Sequence, residues 1–236
     1  MKIPVMEIFG PTIQGEGMVI GQKTMFVRTA GCDYRCAWCD SRFTWDGSEK
    51  STLMTAGEIV ERLKAIGGTY FSHVTISGGN PVLHKGIGAL VKAIKQEGWK
   101  VAIETQGSLW QDWLCDVDEV TLSPKPPSSK MDVDLETLDT IIAKLSRSDA
   151  KYSMKIVVFD DRDFQFAKEM YERYRSVPFF LQVGNAHTEE ADKEQFLHKL
   201  LERYEWLIDK TVHSDMNDVK VLPQLHTLVW GNKRGV

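Results

Sequence analysis

A chain of 236 residues with 42% hydrophobic and 26% charged side chains has the ordinary globular balance, which excludes disorder and suits one domain of the α/β barrel kind. Its formal charge of -4 argues against a nucleic-acid-binding surface, because neutralising phosphates needs clustered Lys and Arg, and so favours a small substrate over a tRNA. No apolar run is long enough to span a membrane, and Met1-Lys2-Ile3-Pro4-Val5-Met6-Glu7 lacks the apolar core of a signal peptide, so a cytoplasmic setting with reduced thiols is expected.

The chain opens with Glu7-Ile8-Phe9, a short apolar piece that runs into a turn-rich loop, Gly10-Pro11-Thr12-Ile13-Gln14-Gly15-Glu16-Gly17. Glycines on both sides of Glu16 let the backbone approach a ligand closely, and Gln14 and Glu16 supply an amide and a carboxylate suited to the edge of a nitrogen heterocycle. An exposed loop with a solvated Glu is the plainer alternative. Thr24-Met25-Phe26-Val27-Arg28 then reads as a compact strand that ends in a guanidinium, placed for bidentate capture of a carboxylate at the mouth of a barrel.

Directly after it comes Cys32-Asp33-Tyr34-Arg35-Cys36-Ala37-Trp38-Cys39, a C-x3-C-x2-C run with three of the four cysteines. Three thiolates this close can converge on one soft metal centre. A structural zinc site closes with four protein ligands, yet no second knuckle exists and the flanking loop has no histidine. A four-iron cluster on three cysteines leaves one iron open to a small molecule, as chemistry would need. Two other readings stay open: a zinc knuckle completed by the distant Cys115, and three ordinary thiols. Cys115 itself, in Trp113-Leu114-Cys115, reads as a small buried hydrophobe.

Beyond the cysteines, Thr55-Ala56-Gly57-Glu58 is a capping box for a helix through Ile66, closed by Gly67-Gly68. His73 to Ser77 is a buried strand, followed by Gly78-Gly79-Asn80-Pro81 and a helix from about Lys85 to Glu97 that stops at Gly98. Further strands are predicted at Lys100 to Glu104, Glu119 to Ser123, Ser153 to Phe159 and Phe179 to Val183. Helices fall near Trp110 to Leu114, at Asp134 to Leu145, at Asp161 to Tyr174 and from about Ala191 to Ile208; Pro124 to Lys130 is the one loose stretch. His73, His84, His187, His198 and His213 show no partner pattern, so core or surface roles are the default.

Alternation of this kind implies a parallel sheet, and about six strands fall short of the eight of a closed barrel, so the expected fold is α/β, an open, partial (β/α)6-like TIM barrel. One domain over 1–236 is expected, with a short N-terminal substrate loop and a C-terminal extension. Parallel sheets place ligands at the carboxyl ends of their strands. The residues there are Arg28, Ser77 to Asn80, Glu104 to Gly107, Ser123 to Lys125 and Gln182 to Asn185, polar or glycine-rich sets that together describe a mouth.

The cysteine spacing, with aromatic Trp38 before the third thiol, resembles the signature of radical S-adenosylmethionine (SAM) enzymes, in which the open iron chelates SAM. Within them the chain resembles the 7-carboxy-7-deazaguanine synthase family closely, through Glu7-Ile8-Phe9, Ile13 to Gly17, Arg28 to Cys32, Cys39-Asp40-Ser41, Ser77-Gly78-Gly79, Ser123-Pro124-Lys125 and Pro223-Gln224-Leu225-His226. The resemblance implies conversion of 6-carboxy-tetrahydropterin to 7-carboxy-7-deazaguanine with loss of ammonia, by homodimers that use magnesium and use SAM catalytically. It implies a 4Fe-4S cluster on Cys32, Cys36 and Cys39, magnesium at Ser41, and the pterin at Ile13, Gln14, Gly15, Glu16, Arg28, Ser77 and His226. SAM would lie against Gly79, Asn80, Glu104, Ser123, Pro124, Lys125, Gln182 and Asn185. Where many radical SAM enzymes have Gly-Gly-Glu-Pro this chain has Asn80, whose carbonyl can accept from the SAM ammonium without a negative charge. An outside electron donor, flavodoxin or ferredoxin, is implied as well. A glycyl-radical activating enzyme shares the cysteine run but not Gln14, Glu16 and Arg28, and a zinc-binding interaction module would lack the strand–helix alternation.

Overall fold

A computed structural model describes residues 1–186 and 193–236. Among the described residues nine strands form one sheet in the order β3-β1-β2-β4-β5-β6-β7-β8-β9. The strands are β1 (Ile3–Ile13), β2 (Lys23–Thr29), β3 (Thr52–Met54), β4 (His73–Gly78), β5 (Lys100–Thr105), β6 (Glu119–Leu122), β7 (Lys151–Val158), β8 (Phe179–Val183) and β9 (Val219–Leu222). From β2 outward through β9 the neighbours are parallel, while β1 runs antiparallel to both β2 and β3. The helices are α1 (Ala56–Gly67), α2 (Ile87–Gln96), α3 (Leu135–Leu145), α4 (Asp161–Arg173), α5 (Lys193–Val212) and α6 (Leu225–Trp230). No helix among the described residues is long and apolar enough to cross a membrane.

The period of two along each strand divides the sheet into two chemistries. Val74 and Ile76, Val101 and Ile103, Val120 and Leu122, and Met154, Ile156 and Val158 are buried with the apolar stripes of the helices, such as Ile59 and Leu63 of α1 and Leu138, Ile141 and Leu145 of α3. The alternate residues are polar and equally buried: Thr24, His73, Thr75, Thr121, Ser153, Lys155 and Gln182. His73 shows how such groups are satisfied, with Nδ1 2.8 Å from Thr24 Oγ1 and Nε2 3.0 Å from Glu119 Oε2, a core role rather than a ligand one. The turn Gly17–Val19 after β1 packs against β6, β7 and β8, so the N-terminal loop fills the concave side of the sheet.

The expected alternation is present, with differences at the edges. The sheet has more strands than about six: β1 is an 11-residue strand where a short piece and a loop were expected. A register irregularity between Phe9 and Thr12, where Gly10-Pro11 interrupts the apolar run, hides it from a pattern reading. β3 and β9 are three and four residues long, too short for a period to show. The short helix expected near Trp110 to Leu114 is a 3-10 segment at Asp112–Asp116. Cys115 within it is half-buried, not buried, and lines a small cleft with Lys100, Glu119 and Lys151 at the amino ends of the strands, so it cannot complete a zinc knuckle at the opposite mouth. Pro124 to Lys130 is not loose: Ala37 donates to the Ser129 carbonyl at 2.9 Å, and Ser128 is fastened to the fully buried Asp163. His187 and the first residues of the helix expected from Ala191 lie outside the described residues; the helix continues to Val212.

The capping box is formed, with the Thr55 hydroxyl accepting from Glu58 N at 3.3 Å and Glu58 Oε2 accepting from Thr55 N at 2.6 Å. Thr55→Ala removes that hydroxyl from the start of α1 and is expected to destabilise the protein by about 1 kcal/mol, a fall of about 3 °C in Tm by differential scanning calorimetry.

Candidate active site

A cavity of about 440 Å3 opens at the carboxyl ends of the strands. Cys32, Cys36 and Cys39 line it together with Ile13, Gln14, Gly15, Glu16, Arg28, Ser41, Ser77, Gly79, Glu104, Lys125, Asn185 and His226, so these predicted residues from distant parts of the chain meet in one place. Four others stand behind the wall. Ser123 and Gln182 are 1% and 0% exposed, Pro124 is buried, and Asn80 is 0% exposed with its carbonyl accepting from Thr105 Oγ1 at 2.8 Å and its amide donating to Asp33 and Ser108. The polar atoms of Asn80 are thus engaged in holding the cysteine loop.

That loop is fastened on all sides. Asp33 accepts from Asn80 at 2.8 Å, from Gln106 at 2.6 Å and from Ser108 at 2.6 Å, which ties it to the ends of β4 and β5. Trp38 donates from Nε1 to Ser128 Oγ at 2.8 Å and packs on Phe159 at 4.8 Å between ring centres. Tyr34 donates through its hydroxyl to the Asp132 carbonyl at 2.7 Å. His84 Nε2 stands 2.7 Å from the Ala30 carbonyl just before the motif. Gly79 makes the close approach possible, since a Cβ there would stand 2.0 Å from the Gly31 oxygen and 3.0 Å from Cys32 Cβ.

The thiols suit an iron–sulfur cluster. Cys32 Sγ accepts from Tyr34 N at 3.4 Å and Gln106 Nε2 at 3.7 Å, and Cys39 Sγ accepts from Trp45 Nε1 at 3.4 Å, the N–H···S contacts that tune a cluster. Burial raises the pKa of the Cys36 thiol to about 11, against the opposing pull of Lys125, and burial raises that of Cys32 too, so metal must displace protons from both.

The floor of the cavity is charged. Glu16, carried inward by the N-terminal loop, lies 2.5 Å from Lys155 Nζ, which also lies 2.6 Å from Glu104 Oε1. Burial acts to raise the pKa of Glu16, but Lys155 and then His226 outweigh it and hold the carboxyl well below the usual range. Burial acts to lower that of Lys155, and Glu104 and Glu16 outweigh it and hold the ammonium above the ordinary lysine value. Gln224 donates to Glu16 Oε1 at 2.9 Å and Leu225 N to the Gly15 carbonyl at 3.0 Å, so the segment before α6 clamps the loop. Gly15 permits this, because a Cβ there would stand 2.3 Å from His226 Nδ1. At the wall, Arg28 Nη1 donates to Ser41 Oγ at 2.9 Å, while Arg28 Nε sits 2.8 Å from Glu7 Oε1 without the alignment of a hydrogen bond. Arg234 donates to the other Glu7 oxygen at 2.8 Å and lies 3.6 Å over the Phe43 ring.

Sequence reading gave no role to Asp33, Lys155 and Arg234, and named Gln106 and Gln224 only within longer stretches. Lys155 had a signal: a lysine between Met154 and Ile156 in an apolar strand calls for a buried partner. Asp33 lay inside the motif, but its donors arrive from residues 80, 106 and 108 and no spacing shows them.

An open parallel sheet with a three-cysteine loop across its carboxyl-terminal mouth defines a radical SAM enzyme, and residues 26–158 match the family described as the Radical SAM superfamily. Such enzymes use a 4Fe-4S cluster and SAM. Over its full length the chain is 65% identical to the 7-carboxy-7-deazaguanine synthase of Bacillus cereus, covering 99% of that protein, and 57% identical to that of Bacillus subtilis, with 99% of the chain and 98% of that protein covered. The chain belongs to the 7-carboxy-7-deazaguanine synthase family. The crystal structure of QueE from Escherichia coli shares the fold, with a TM-score of 0.70 at 22% identity over 95% of each chain.

Gly79→Ala is expected to push the cysteine loop off β4 and to reduce the iron retained after anaerobic reconstitution several-fold, with the far-ultraviolet circular dichroism unchanged. Iron content equal to wild type would show that the close approach is dispensable.

Proposed function

We propose that this enzyme converts 6-carboxy-5,6,7,8-tetrahydropterin to 7-carboxy-7-deazaguanine and ammonia by radical ring contraction. The observation that carries the reading is that one cavity joins the three cysteines to Gln14, Glu16, Arg28 and His226. The cluster and SAM, when bound, supply a carbon-centred radical that takes hydrogen from the pterin C6 and returns it after rearrangement, so that SAM is used catalytically.

The protein's own part is placement. Glu16, held ionised beside Lys155, accepts from the N–H donors of the pyrimidine edge, with Ile13, Gln14, Gly15 and Ser77 along the ring. Arg28 takes the substrate carboxylate at the opposite end. Its proximity to Ser41 supports magnesium there, because a carboxylate taken by Arg28 then also reaches a cation held by the Ser41 hydroxyl, with Asp40 Oδ1 3.0 Å from that hydroxyl. Magnesium prefers oxygen ligands and keeps several waters, so few protein ligands suffice, and bound there it supplies charge to hold the carboxylate. Gly79, Lys125 and Asn185 form the SAM side of the cavity, with Ser123, Pro124 and Asn80 supporting it from behind, while Glu104 and Gln182, implied for that side by the resemblance, stand with Lys155 and Glu16 at the pterin floor. A flavodoxin or ferredoxin supplies the electron, and the working form is a homodimer of single-domain subunits in the cytoplasm.

The test is anaerobic: reconstituted, reduced protein with SAM, magnesium and 6-carboxy-tetrahydropterin is expected to form 7-carboxy-7-deazaguanine, read by mass spectrometry, without stoichiometric 5'-deoxyadenosine. SAM cleavage with the pterin left intact would overturn the assignment. Arg28→Ala is expected to raise KM for the pterin by about tenfold to a hundredfold, as loss of a charged hydrogen bond does; an unchanged rate at subsaturating substrate would remove Arg28 from the carboxylate site. Ser41→Ala is expected to shift the magnesium dependence of turnover to higher concentration, and an unaltered magnesium titration would exclude Ser41 from the metal.

A further inference from the structure

Lys155 is 1% exposed in the middle of β7, and its ammonium bridges two carboxylates brought from separate parts of the chain, Glu16 from the inserted loop and Glu104 from β5. One ammonium thus serves two carboxyl groups. The ammonium does not line the cavity, whereas both carboxylates do, with side chains 17% and 27% exposed. Lys155 thus acts from behind while its partners face the ligand. Gln182, 0% exposed, adds its amide beside Glu16 on the same floor.

The geometry points to Lys155 as a positioning residue for the substrate's pyrimidine edge: by bridging Glu16 and Glu104 it sets two carboxylates side by side as acceptors, so that the floor selects a ring presenting adjacent N–H donors and rejects one presenting a carbonyl there. This rests on the pterin reading above, in which the donors are the 2-amino group and the neighbouring ring N–H. A ring with oxygen at position 2 turns an acceptor toward a buried carboxylate and leaves it unpaired, and sites built to bind a donor reject such analogues strongly.

The test titrates two stable oxidised probes, pterin-6-carboxylate and lumazine-6-carboxylate, into the reconstituted holoenzyme with SAM by anaerobic calorimetry. Wild type is expected to prefer the pterin by a factor on the order of 100 in Kd. Equal affinities overturn the proposal and leave the substrate assignment standing. Failure of both probes to bind, together with no conversion of 6-carboxy-tetrahydropterin, overturns the substrate assignment and the proposal with it. In Lys155→Met the preference is expected to fall to within about tenfold, since the carboxylates lose the charge that holds them, and Lys155→Arg, which keeps that charge, is expected to restore part of it. A purely structural role would weaken both probes in proportion and leave their ratio unchanged, and that ratio overturns the proposal. Should Lys155→Met fail to fold, Glu104→Gln reads the same pair: reduced discrimination is expected, and wild-type discrimination overturns the proposal.

Discussion

The structure turns on an ion group inside the sheet. A parallel sheet curved around a polar interior must satisfy whatever it buries, and here the demanding group is the Lys155 ammonium, 1% exposed in the middle of β7. The chain answers by sending its N-terminal loop into the concavity, so that Glu16 closes on Lys155 from one side and Glu104 from the other. Removing one partner of such a buried set leaves a charge uncompensated, a loss of about 3–5 kcal/mol, which is why the loop is locked in place rather than solvated. The clamp from Gln224 and His226 follows from the same requirement, because an inserted loop needs cover from outside.

A second constraint acts at the mouth. The cysteine loop has no regular structure of its own and owes its shape to what it is tied to: Asp33 to the ends of β4 and β5, Trp38 to the Ser128–Asp163 pair, and Gly31 to the bare backbone of Gly79. Several of these ties come from the segments just after β4 and β5, so the thiols are held against the same sheet that carries Arg28 and receives Glu16. A radical formed at one place and a hydrogen atom at another must meet within a fraction of an ångström, and a shared rigid frame is the physical means to that end.

Much of the fold was legible from local pattern. The strands β4 to β8 and helices α1 to α4 each carry a period, a cap or a glycine stop, and they appear within a few residues of their predicted places. β1 was obscured by Gly10-Pro11, and β3 and β9 by their shortness, since an edge strand of three or four residues is defined by the neighbour it pairs with rather than by its own pattern. At the site, Cys32, Cys36 and Cys39 were legible because a metal centre demands ligands at short spacing. Lys155 and Asp33 were not, because an ion pair or a hydrogen-bond network draws its partners from anywhere in the chain.

The sequence by itself therefore determined the chemistry: a three-thiol motif, a carboxylate and amide beside glycines, a guanidinium at a strand end, and an alternation that compels a parallel sheet. These are properties of residue type and local spacing, where covalent connection does the work of bringing groups together. Tertiary structure decided which of those groups share a cavity and which stand behind it. It tied Asn80 to Asp33, placed Cys115 at the far end of the sheet, and set Lys155 beneath Glu16 and Glu104. The reason is that burial and charge compensation act through space, among residues that only the folded sheet makes neighbours.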